Sequence, residues 1–100
     1  MLAVAILAAS GCGHGPRSVS DPDPAEKIPA IEEAVRRHDA RVIPQLIVDL
    51  KSDDPAVRFY SIDALRSLTG QDCGYRYFAE EDERKAAVER WNQWLVNQPQ

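Results

Sequence analysis

Few side chains in this sequence carry nucleophilic or soft-metal chemistry: Cys12, Cys73, His14 and His38. Cys73 with His38 is the one pair that would set a thiolate beside an imidazole, as a cysteine nucleophile requires. His14 lies between two glycines with no second ligand at zinc spacing. Asp53-Asp54 and the acidic run Glu80 to Glu83 offer oxygen ligands, but neither alternates them around a bend glycine as a calcium loop does. Both suit helix starts better, as a cap and as charges opposing the helix dipole. There is no glycine-rich phosphate loop. The chain is therefore expected to have no catalytic residue, no metal and no cofactor.

Composition narrows the partners. Apolar residues are 44% and charged residues 28% of the 100, and the net charge is −4. Nucleic acid is excluded as a partner, because phosphate binding needs a surplus of Lys and Arg on one face. The nearest basic patch, Arg36, Arg37, His38 and Arg41, follows Glu32 and Glu33 and reads as a solvated helix end. Two cysteines so far apart make no disulfide framework, so each is read alone.

The first residues, Met1 to Ala9, are an unbroken apolar run. It is too short for a bilayer span, which takes about 20 residues, and has the length of a signal-peptide core. Ala9-Ser10-Gly11-Cys12 follows and resembles the lipobox of bacterial lipoproteins. It departs from that family's habit in having Ala9 where Leu is preferred, and in having no Lys or Arg before the apolar run. The resemblance implies cleavage before Cys12, a diacylglycerol thioether on its sulfur, and loss of a signal peptide at 1–11. The membrane anchor at the cell envelope would then be the lipid on Cys12. Ala9-Ser10-Gly11 also suits the ordinary signal peptidase, which leaves secretion as the alternative. Residues 12–23 are rich in Gly, Pro, Ser and Asp and read as a lipidated N-terminus and flexible linker.

The rest, 24–97, reads as four helices with one apolar side each. Ile28, Ile31, Ala34 and Val35 recur at helical spacing up to about His38, then Ile43, Leu46, Ile47 and Leu50. The two segments echo each other: Ile28-Pro29 answers Ile43-Pro44, and Asp39 answers Asp54. The third helix has the clearest start, with Asp54 to cap it and Pro55 in its first position. Val57, Ser61, Ala64, Leu65 and Leu68 line one face, and Gly70 closes it in a left-handed conformation. A fourth stripe follows the acidic run: Ala87, Val88, Trp91, Trp94 and Leu95.

Asp53-Asp54-Pro55-Ala56-Val57-Arg58 with Ser61, Ala64, Leu65 and Leu68 looks like the second half of a HEAT repeat. Ile43-Pro44 with Leu46, Ile47 and Leu50 is similar to the first half. Leu68-Thr69-Gly70-Gln71, Gly74-Tyr75 and a helix bearing Trp91 and Trp94 resemble the tail of bacterial HEAT-repeat proteins. The resemblance spans about residues 41–95. It implies an all-α fold, a short HEAT-like α-α superhelix of about four helices. It also implies a structural ion pair from Arg58 to Asp53, Asp54 or an acidic residue of the first helix. Ser61 stands where the family usually has Ala, a mild departure that a small buried hydroxyl survives if it bonds back along the helix. Cys73 stands where the family has a bulky apolar residue, which implies packing and not catalysis.

Tyr75, Tyr77, Phe78, Trp91 and Trp94 crowd the last third of the chain. The expected role is to close the end of the helical stack, with Tyr75, Tyr77 and Phe78 as the possible interface. The function these readings imply is a non-catalytic protein-interaction module at the cell envelope, its protein partner unidentified. The alternatives are an accessory subunit or lyase-like HEAT enzyme, or a purely structural envelope protein.

Overall fold

The computed structural model describes residues 18–99; Cys12 and the signal segment lie outside them. The described chain is all helical, as expected. It comprises α1 (Pro24–Arg36), a 3₁₀ turn (Ala40–Val42), α2 (Ile43–Asp49), α3 (Pro55–Thr69) and α4 (Glu81–Val96). None of these helices is long and apolar enough to cross a membrane.

Local chemistry explains the helix ends. Three aspartates cap three helix starts in the same way, each carboxylate accepting a bond from the N–H two residues on. Asp23 takes it from Ala25 at 3.0 Å, Asp39 from Arg41 at 3.1 Å and Asp54 from Ala56 at 2.8 Å. Glu81, Asp82 and Glu83 fill the first turn of α4. Gly70 ends α3 with φ 74° and donates its N–H to the Arg66 carbonyl. The first helix stops at Arg36, two residues short of the expected end. There His38 takes a left-handed φ of 54° and donates to the Val35 carbonyl, while the Asp39 N–H reaches the Ala34 carbonyl. That pair of bonds is a Schellman closure, with histidine where glycine is usual.

The third helix is the centre of the body: it packs on α1 and on α2, and α4 packs on α2. Ile31, Leu46, Leu50, Ile62, Leu65 and Trp91 form one buried cluster from all four helices. Val57, Ser61, Ala64 and Leu65 are buried as the stripe predicts; Ile62 joins them and Leu68 is half-buried.

The packed structure also reaches into the stretch read as linker. Val19 packs against the core, and its carbonyl accepts a bond from the buried Lys27 ammonium. Lys27 also donates to Asp49 on α2 at 2.8 Å, and Gln45 donates to the same carboxylate oxygen at 3.1 Å. The other oxygen, Asp49 Oδ2, is buried with no partner. This buried ion pair was not anticipated. Lys27 lies on the same stripe as Ala30, Ile31 and Ala34, and that register is the one local sign that it would be buried.

Ser61 Oγ is fully buried and makes no hydrogen bond, so the back-bond along α3 that would satisfy it is absent. Thr69 makes one instead, donating to the Leu65 carbonyl at 2.7 Å. An unsatisfied buried hydroxyl costs about 1–3 kcal/mol. Ser61→Ala is therefore expected to stabilise the protein by about 1 kcal/mol, or about 4–8 °C in Tm. A lower Tm by differential scanning calorimetry would contradict it.

Candidate interaction surface

The connection from α3 to α4, residues 70–80, has no regular structure, and side chains from the helices around it satisfy its backbone. Arg58 on α3 donates to the Tyr77 carbonyl at 3.0 Å and to the Ser52 carbonyl at 2.9 Å. Arg90 on α4 donates to the Cys73 carbonyl at 2.8 Å, and the Trp91 indole N–H to the Asp72 carbonyl at 3.0 Å. Arg84 donates to the Ala79 carbonyl at 3.0 Å. From within the loop, the Tyr75 hydroxyl donates to the Leu50 carbonyl at 2.7 Å, where α2 ends.

Two expectations change here. Arg58 makes no ion pair with Asp53, Asp54 or the first helix; it binds two backbone carbonyls and ties the α2–α3 corner to the loop. The physical reason is proximity: carbonyls with no helical partner lie within reach of a planar, multi-donor guanidinium. Tyr75 is not an interface residue. Only 1% of it is exposed, because its ring fills the core and its hydroxyl finds a carbonyl there. Burial, the largest influence, raises its pKa.

Gly74 supports this arrangement. It has φ 73°, and a Cβ there would sit 3.0 Å from Arg90 Nη2. Cys73, with φ 54°, is half-buried against the core. Burial pushes its thiol pKa up, Asp72 adds to the rise, and Arg90 opposes it. A thiol so placed stays protonated at neutral pH and is a poor nucleophile. His38, the one histidine that could serve it as a base, is exposed at the end of α1 and makes no hydrogen bond with it.

Because the loop is held so firmly, it presents aromatic rings outward. Phe59 on α3 packs edge-on against Tyr60 (5.3 Å between centroids) and against Tyr77 (5.2 Å). Tyr77 in turn packs edge-on against Phe78 (5.3 Å). Phe59 is 42% exposed and Phe78 71%, while Tyr60 and Tyr77 are half-buried. Four rings thus form a continuous chain with its two phenylalanines open to solvent. Of the expected interface residues Tyr77 and Phe78 are in it; Phe59 and Tyr60 were missed. Phe59 stands on the solvent face of α3 near Asp63 and Arg66, and a large apolar residue on a charged face was the available signal.

Trp91 and Trp94 pack edge-on at 5.4 Å, with Trp91 fully buried and Trp94 partly so. Among the described residues no group of three or more His, Cys, Asp or Glu could hold a metal ion. Comparison of the chain with protein-family models, with curated proteins and with solved structures finds no match.

Proposed function

We propose that this protein is a non-catalytic interaction module, its body a short HEAT-like helical stack, held at the cell envelope by lipid on Cys12. The observation that supports the interaction role is the exposed chain Phe59–Tyr77–Phe78 with Tyr60 at its edge. Aromatic side chains anchor protein interfaces, because they bury much apolar area at little entropic cost. Here the rings sit on a helix and a cross-braced loop, so little ordering remains to oppose binding. The partner is a protein. The anchor is supported by Ala9-Ser10-Gly11-Cys12 after the apolar run.

Two measurements test the two halves separately. A photo-crosslinking amino acid at Phe78 in intact cells is expected to capture a discrete protein adduct, and one at exposed Gln93 is not. Phe59→Ser is expected to remove the adduct while leaving Tm within a few degrees. An undiminished adduct would sink the aromatic surface. For the anchor, Cys12→Ser is expected to abolish labelling by a fatty-acid probe and to release the protein from membranes. Retention of an unlabelled Cys12→Ser protein would instead mean an uncleaved or ordinary signal.

A further inference from the structure

The packed body starts soon after the proposed anchor. Val19 is held twice, by its side chain against the core and by its carbonyl on the Lys27 ammonium. Val19 lies within a turn closed by the Asp21 N–H on the Ser18 carbonyl and by a 2.7 Å bond between the Ser18 and Ser20 hydroxyls. Lys27 is itself pinned by Asp49 across the α1–α2 junction. Only residues 13–18 therefore separate Cys12 from a fixed point on the body. Fully extended, that stretch reaches about 25 Å; as a relaxed coil it spans about 15 Å. The first helix alone, with 13 residues, is about 20 Å long. A leash whose relaxed span is shorter than one helix of the body favours orientations in which the exit point faces the surface.

The exit point has a defined neighbourhood. Ser18 and Val19 line a shallow groove of about 690 Å³ together with Pro29 and Glu33 of α1, Arg37 just past its end and Val42 of the 3₁₀ turn. We propose that this groove face lies against the phospholipid headgroup surface when the protein is anchored through Cys12. The proposal rests on the lipid-anchor reading, and its occupant is the bilayer surface because the chain outside the described residues leads from here to the lipid. Charge does not set the contact. Arg36 and Arg37 are paired with Glu33, Arg41 is paired with Asp39, and Glu32 lies at the rim. Three cations meet three carboxylates on this face. The leash imposes the orientation, which is independent of anionic lipid and of salt.

The test uses the lipidated protein isolated from cells expressing the full chain, isotope-labelled and placed in phosphatidylcholine nanodiscs carrying a gadolinium-chelating lipid. Paramagnetic broadening of the amides of Ser18, Arg37 and Asp39 is expected to be several-fold greater than that of Glu89 and Asn92 on α4. The difference is expected to persist in high salt. Inserting about twenty Gly and Ser residues after Gly13 lengthens the relaxed leash to about 30 Å and is expected to even out the broadening. Uniform broadening without the insert, or broadening strongest on α4, would overturn the proposal while leaving the anchor standing. An asymmetry that disappears in salt would overturn it too, since charge would then be the cause. Absence of lipid on Cys12 by mass spectrometry would overturn the anchor reading and this proposal together.

Discussion

Trp91→Ala is expected to leave the protein largely unfolded at room temperature. The indole is fully buried in the core, where α4 meets the start of the α3–α4 loop. Truncating such a ring costs about 3–5 kcal/mol. Its N–H also caps the Asp72 carbonyl at 3.0 Å, and that group loses its partner with the ring. A domain of this size has a total stability of roughly 5–10 kcal/mol, so the loss takes most of it. The circular dichroism of the variant should show greatly reduced helix and no cooperative melt. Trp94→Ala should be milder, because Trp94 is partly exposed and near the end of α4. A Trp91→Ala protein with unchanged helix content and Tm would mean that α4 does not close the core.

Lys27→Met is the second large effect, and its companion makes it informative. Lys27 and Asp49 are each more than nine-tenths buried, and no solvent replaces a missing partner. Removing one member of such a pair costs about 3–5 kcal/mol, because the other charge is left buried and alone. Here the stranded carboxylate would keep only the Gln45 amide, with Oδ2 already unsatisfied. The double variant Lys27→Met with Asp49→Leu removes both charges and is expected to recover most or all of the loss. Urea denaturation of the single and double variants measures the difference. A double variant as unstable as the single one would place the cost in the Val19 contact, and not in the stranded charge.

The pair is also where sequence and structure part. What the sequence by itself determined is local. Asp54-Pro55 and Gly70 set the ends of α3 because a cap acts on backbone groups close by in the chain. The spacing of Leu46, Leu50, Leu65 and Trp91 marked core faces because helical periodicity needs no knowledge of neighbours. Even there, the burial of Ser61 was legible and the lack of a partner for its hydroxyl was not, since burial follows the stripe while a hydroxyl's partner depends on packing.

Only the tertiary structure decided where the polar groups and the aromatic rings go. Lys27 and Asp49 are separated by a helix and a turn, and either would be an ordinary surface charge if α1 and α2 met at another angle. Arg58 could reach several carboxylates within its own segment, yet it binds carbonyls at Ser52 and Tyr77 because the loop passes over it. Tyr75 and Tyr77 are two residues apart with the same ring; one is sealed in the core and the other joins Phe59 and Phe78 outside. An irregular loop has no period from which an inside and an outside can be read. Which ring turns inward is settled by the carbonyl that Leu50 leaves unpaired at the end of α2, and that group reaches Tyr75 only through the fold.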